Sequence, residues 1–367
     1  MQITIKEKPE TQSVWVVRAQ GGNYIPHFRQ AGLVAIGHLN RFELPRSEAG
    51  YYFPDLKQLK TDYLEQARHT GTHSWKRSAL NRYSQIRKFV ADIAIGDLIL
   101  SIDGNTLSIG RITGHPYIDS SPVQIRSVTA TQGFTEMSFD LRREVNWGPT
   151  IPRKNLPAAL KRSVSARQTV FSVDRHWQAV YHTLYPIFIG EGKLHFSARI
   201  VQENPINNYR VSQFLNILTS IEVATKSFES FGVVTLDGLQ KEFQLLLESN
   251  NLELSTKAEF MSKGSIWSYL GVKDKTGNWI VIGAFLYAAL FGAEIQGIGT
   301  EGIITAEMRE QMLKAFLTYI EANDVQEVKD SLQLQLPDFK TSALETSAYD
   351  APDDIERHYM LTSEEAD

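Results

Sequence analysis

No single charge describes this chain. Residues 1–185 hold 24 Lys and Arg against 15 Asp and Glu, a net +9, while residues 186–367 hold 14 against 27, a net −13, and the two sum to the −4 of the whole. A split of this size predicts two domains with different partners. The basic half is the candidate for nucleic acid or a phosphate-bearing ligand. The alternative is that the halves attract each other and mask their charges.

The chain has 367 residues, 42% hydrophobic and 22% charged, which is ordinary globular composition with room for more than one core. It contains no cysteine, so disulfides and thiolate metal sites are excluded. A reducing, cytoplasmic setting is the expectation. The opening "MQITIKEKPETQ" has no apolar stretch of the kind a signal peptide needs.

Pattern reading of the first half gives strands near 13–19, 33–38, 97–103, 106–114, 123–130 and 142–147. Asp103–Asn105 reads as a tight hairpin turn. Helices fit 54–68, 75–93, 155–163 and 174–185, with Leu80, Tyr83, Ile86, Val90 and Ile93 at helical spacing in the second. The fold class is α+β, and the simplest packing of residues 1–185 is a bent mixed β-sheet or barrel with peripheral helices.

Residues 186–341 read as a mainly helical α+β domain with an assembly or effector role. The patterns predict helices over "NNYRVSQFLNILTSIEVATKSFESF", "LDGLQKEFQLLLESN" and "TAEMREQMLKAFLTYIEAN", and a hairpin around "SKGS". Met308, Met312, Phe316 and Ile320 form a stripe at four-residue spacing. The run Trp279–Ala293 has 15 residues without a charge, short of the roughly 20 a membrane helix needs, so the 279–295 segment reads as a core or interface helix. Residues 342–367 form an acidic tail with eight acids and one Arg.

The first half then resembles a known family. "VWVVRAQGGNYIPHFRQAGLVAIGH", "FVADIAIGDLIL", "LSIGRITG", "RREVNWGPTIPRKNLP" and "SARQTVFSV" resemble, in order, the blocks of the N-terminal domain of Mrr-like restriction endonucleases, over about residues 13–175. "RYSQIRKFVADIAIGDLIL" is similar to the helix–Gly-Asp–strand block of EVE domains in the PUA-like group, with Arg82, Gln85, Arg87, Gly96 and Asp97 at matching spacing and Trp75 just upstream. The resemblance implies an EVE/PUA-like module that reads modified bases or nucleotide-like ligands, on DNA or RNA, in a prokaryotic restriction or antiviral defence setting. It also implies a pocket position at His38, where the restriction-associated pattern more often has Trp. No resemblance covers residues 186–367.

A reader of an extruded base needs stacking faces, edge-specific hydrogen bonds and positive charge for phosphates. Trp15, Tyr24, Trp75, Tyr83 and Trp147 are candidates to stack. Gln85 carries both a donor and an acceptor for a base edge. Arg18, Arg82, Arg87, Arg142 and Arg143 are candidates for phosphates. Each has a structural alternative: Trp15 and Trp147 as core, Arg87 as a solvated helix face, Gly96-Asp97 as a turn.

Enzyme signals are sparse. Asp174 with "EGK" at Glu191–Lys193 has the outline of an Mg²⁺-dependent nuclease motif, in which carboxylates hold the ion and Lys orients water. It is the alternative to a non-catalytic sensor, alongside a membrane effector triggered by ligand. His69 and His73 are four apart without a third ligand, and "GIGTEG" at 297–302 lacks the βαβ frame of a dinucleotide site. The expectation is a base-reading sensor with no cofactor and no resident metal. It would bind nucleic acid, assemble as a homo-oligomer, meet a partner defence protein and not span a membrane.

Overall fold

The structure, a computed structural model, describes residues 2–40, 42, 56–70, 75–126, 133–166, 168–232, 234–260, 264–271, 278–296, 305–321 and 324–344. It is mixed α/β and divides into two units. The first holds Gln12–Trp177 with the stretch that begins at Lys340, and the second holds Met1–Thr11 with Gln178–Phe339. Residues 1–11 and 178–185, grouped with the basic half by sequence, thus belong to the unit built from the acidic half.

The first unit is organised by a curled, half-barrel sheet of seven strands. Their order is Val170–Ser172, Val14–Val17, Leu98–Ile102, Thr106–Ile112, Leu141–Pro152 and Leu33–Ile36, with Tyr117–Ile118 also on the long strand. Leu141–Pro152 causes the curl. Its first residues pair with Leu33–Ile36 and its remainder with Thr106–Ile112, with a register shift between Trp147 and Thr150. Such a bulge bends a strand and increases its twist. Val14–Val17, Leu33–Ile36 and Leu98–Ile102 are buried along their whole length, which explains their unbroken apolar runs.

Helices Leu56–Thr70 and Trp75–Arg87 pack Leu59, Tyr63, Ala79, Tyr83 and Ile86 into the core of this sheet. The expected 75–93 helix is α-helical only to Arg87 and ends in a π turn over Lys88–Asp92. Buried Arg143, 1% exposed, holds that end: its Nη1 donates to the carbonyls of Phe89 at 3.1 Å and Ile93 at 2.5 Å. Leu344 is fully buried against Gly148, where a Cβ would come within 2.7 Å of its Cγ. The expected strand over 123–130 is a strand at Val123–Arg126, and residues 127–130 lie outside those described.

In the second unit the sheet is larger than its helix-rich sequence suggests. Ser255–Phe260, Gly264–Gly271, Lys193–Ile200, Ile187–Gly190 and Lys6–Glu7 lie side by side, with Leu334–Gln335 also on Lys193–Ile200. Lys6–Glu7 runs parallel to Ile187–Gly190, and Gln2–Thr4 runs parallel to Glu294–Gln296. Helices Asn208–Phe231, Leu236–Ser249 and Ala306–Ile320 start at Asn207, Thr235 and Thr305, whose side chains accept the first orphan N–H groups.

The apolar run forms the helix Asn278–Leu290, with Val281, Ile282, Ala284, Leu286, Tyr287 and Ala288 almost wholly buried in this unit's core. Glu294 and Ile295, expected within the same helix, lie instead in the strand Glu294–Gln296. Met312, Phe316 and Ile320 are fully buried, as their spacing predicts. Among the described residues no helix is long and apolar enough to cross a membrane. The acidic tail from residue 345 and the 297–302 motif lie outside the described residues.

Candidate functional site

The first unit carries a cleft of about 610 Å³ lined by Gly37, His38, Asn40, Phe42, Tyr63, Gln66, Ala67 and Arg82. Three pieces of chain build it: the turn leaving strand Leu33–Ile36, one face of helix Leu56–Thr70, and one residue of helix Trp75–Arg87. The turn is fixed by Asn40, whose Nδ2 donates to the Ser138 carbonyl at 2.6 Å and whose Oδ1 accepts from Asp140 N at 3.1 Å. Tyr83 ties the two helices together by donating its hydroxyl to the Leu56 carbonyl at 2.6 Å.

The cleft joins an aromatic wall to a cation. The Phe42 and Tyr63 rings lie 5.4 Å apart at 35°. Arg82 is exposed. Burial pushes the Tyr63 hydroxyl up, and the guanidinium opposes this. His38 is pushed below its ordinary range by burial and by the Arg82 charge, against a hydrogen bond with Gln85. The imidazole is therefore neutral near pH 7, with one donor and one acceptor nitrogen. This set can hold a flat ring, address its edge and neutralise an anion beside it.

Of the residues singled out by sequence, His38 and Arg82 meet at this cleft. Gln85 stands behind them, its Oε1 accepting from Thr169 N at 2.6 Å and Val170 N at 3.2 Å, so its acceptor edge pins the helix to strand Val170–Ser172. Trp75 packs on the core at the start of its helix, and Tyr24 lies edge-on to Phe139 at 4.9 Å. Arg87 is exposed, with Asp92 at 3.9 Å.

Four others are enclosed by the fold. Trp15 is 7% exposed and donates its indole N–H to Asp97. Trp147 donates its own to the carbonyls of Phe28 and Leu33 at 2.9 and 3.2 Å. Arg142 and Arg143 are buried rather than presented to phosphates, Arg142 on Asp119 at 2.7 Å and Arg143 on the carbonyls described above. Arg18 donates to the Val164 carbonyl at 3.1 Å, away from the cleft lining.

The nuclease alternative divides between the units. Asp174 belongs to the first, where its carboxylate accepts from Val14 N at 2.6 Å and from the Ser172 hydroxyl at 2.7 Å. Glu191 and Lys193 belong to the second, at a tight hairpin turn with Glu191 and Gly192 both at positive φ. Among the described residues no three His, Asp or Glu side chains group as a metal site. His73 lies outside those residues.

Phe42, Tyr63 and Gln66 line the cleft but were not singled out by sequence. Leu59, Tyr63, Gln66 and Ala67 do fall on one helical face, which was the available signal. Phe42 had none, because it follows no periodic element.

Comparison with protein-family models, with curated proteins and with solved structures finds no match to this chain.

Proposed function

We propose that the Gln12–Trp177 unit is a nucleic-acid reader that takes a base, or a nucleotide-like ring, into the His38–Tyr63–Arg82 cleft. The observation that carries this reading is the cleft itself: about 610 Å³, with an aromatic pair, a neutral imidazole and a guanidinium around it. Small-molecule sites run to roughly 300–1,000 Å³ and combine apolar walls with few polar groups. The charge agrees. Removing residues 1–11, with two Lys and two Glu, from the +9 of residues 1–185 leaves 22 cations and 13 acids, still +9, because 178–185 has no charge. The resemblance to the N-terminal domain of Mrr-like restriction endonucleases makes a modified base the first ligand to test, within a defence sensor whose second unit assembles or transmits.

The test is a binding screen of the full-length protein against single- and double-stranded oligonucleotides with a panel of modified bases. Arg82→Ala and Phe42→Ala are compared with the parent. A lost stacking or edge contact should weaken binding by about 1–3 kcal/mol. Arg82 is exposed, so its variant should melt with the parent. Parental affinity and base preference in both variants would remove the cleft from the reading. Failure of the parent to bind any oligonucleotide at low salt would remove the reading itself.

A further inference from the structure

A second groove of about 500 Å³ lies in the same unit, between the hairpin at Gly104–Thr106 and the stretch that leaves strand Leu141–Pro152. Its lining includes Arg153, Lys154 and Lys161 and no acid. We infer that this groove grips the phosphodiester backbone of the strand whose base the cleft reads, an inference that rests on the nucleic-acid reading above.

Among the described residues no ion pair engages the cations of this groove. Arg153 donates to the Ser165 hydroxyl at 2.9 Å and Arg18 to the adjacent Val164 carbonyl at 3.1 Å, so two guanidiniums share the end of helix Ala158–Ser163. Arg18 Nε is buried with no hydrogen-bond partner among the described residues. Lys161 donates to the Lys154 carbonyl at 2.8 Å, which fixes its ammonium beside that residue. The nearest acid in sequence, Asp103, has its oxygens occupied by Asn105 N, Thr106 N and the Thr106 hydroxyl.

Clustered like charges repel, and a dedicated anion relieves that cost. The chemistry fits a phosphodiester chain: one planar guanidinium fork and two ammonium groups line the groove. Backbone contacts of this kind set register and carry no base preference. The unit would then divide its work, with the groove gripping any strand and the cleft choosing the base.

The experiment separates the two sites with a base-free probe. A labelled 12-nucleotide strand of abasic deoxyribose phosphates and an ordinary 12-mer are titrated with the full-length protein across a KCl series. The abasic strand should bind. On single strands each phosphate-neutralising cation contributes about 0.7 to the slope of log K against log salt. The triple variant Arg153→Gln, Lys154→Gln, Lys161→Gln should therefore lower the slope by about 2 and weaken binding at least roughly tenfold at 100 mM salt. If the triple variant fails to fold, exposed Lys154→Gln alone should lower the slope by about 0.7. No abasic binding, or a folded variant with the parental slope and affinity, overturns the groove. Equal preference for abasic and ordinary strands, unaffected by Arg82→Ala, overturns the cleft and leaves the groove standing.

Discussion

Trp15 donates its indole N–H to Asp97 over 3.0 Å, joining two parallel strands that lie 82 residues apart in sequence. Asp97 also accepts from Ser13 N and Ala94 N, each at 2.9 Å, and is 2% exposed. Burial pushes its carboxyl up while these three donors oppose the shift. Gly96, at φ +95°, makes the turn that aims it. The Gly-Asp pair is thus a clamp on the sheet. Asp97→Ala strands one buried donor and two part-buried ones, so the first unit should lose about 1–3 kcal/mol. Urea unfolding followed by tryptophan fluorescence checks this, and an unchanged midpoint would contradict it.

Two buried histidines set the acid response of the second unit. His182 stacks on Trp267 at 4.9 Å and 2°, with Ser197 Oγ 2.8 Å from its Nδ1. Burial, with His195 and Lys257 nearby, holds it well below 6.5. Burial also pushes His195 down to about 4, against its bond to the Gly190 carbonyl. Both folded values lie below the unfolded one, so the unfolded chain takes up protons first. Stability is full above about pH 6.5 and declines toward pH 4, by at most about 1.4 kcal/mol per pH unit for each histidine. Melting temperatures from pH 7.5 to 4.5 should fall over this window, and His182→Gln with His195→Gln should flatten the fall.

The amino terminus should matter to the second unit and not to the first. Ile3 and Ile5, 2% and 6% exposed, lie in the core formed by residues of the second unit. Ile3→Ala and Ile5→Ala should each cost about 2–5 kcal/mol there. Hydrogen exchange should quicken at 187–190 and 294–296 and stay slow at 98–102. Uniform loosening of both sheets would refute this assignment.

Tyr287 offers a substitution that should stabilise. Its ring packs on Phe196 at 4.6 Å and Phe291 at 5.3 Å, but its hydroxyl is buried with no hydrogen-bond partner among the described residues. Tyr287→Phe keeps the packing and removes a group that lost its water on folding. A gain of about 1 kcal/mol is expected, read as a higher melting temperature. A loss of comparable size would mean that the hydroxyl has a partner in solution.

The sequence by itself determined what local periodicity and composition control. The stripe Met312, Phe316 and Ile320 faces the core because its spacing admits one buried helical face. The run from Trp279 is too short for a membrane span, and it supplies a buried helix of 13 residues. The strands at 14–17, 33–36, 98–102 and 106–112 lie where their apolar runs place them. Only tertiary structure decided that residues 2–7 pair with strands about 180 and 290 positions away, since two or three extended residues carry no periodic signal. It also decided what each conspicuous side chain is for. Trp15, Trp147 and Arg143 match a binding inventory by type, yet their donors point at a carboxylate and at backbone carbonyls of the helices packed on the sheet. The cleft gathers Phe42, Tyr63 and Arg82 from separate elements, because folding the two helices over the curled sheet sets which faces meet.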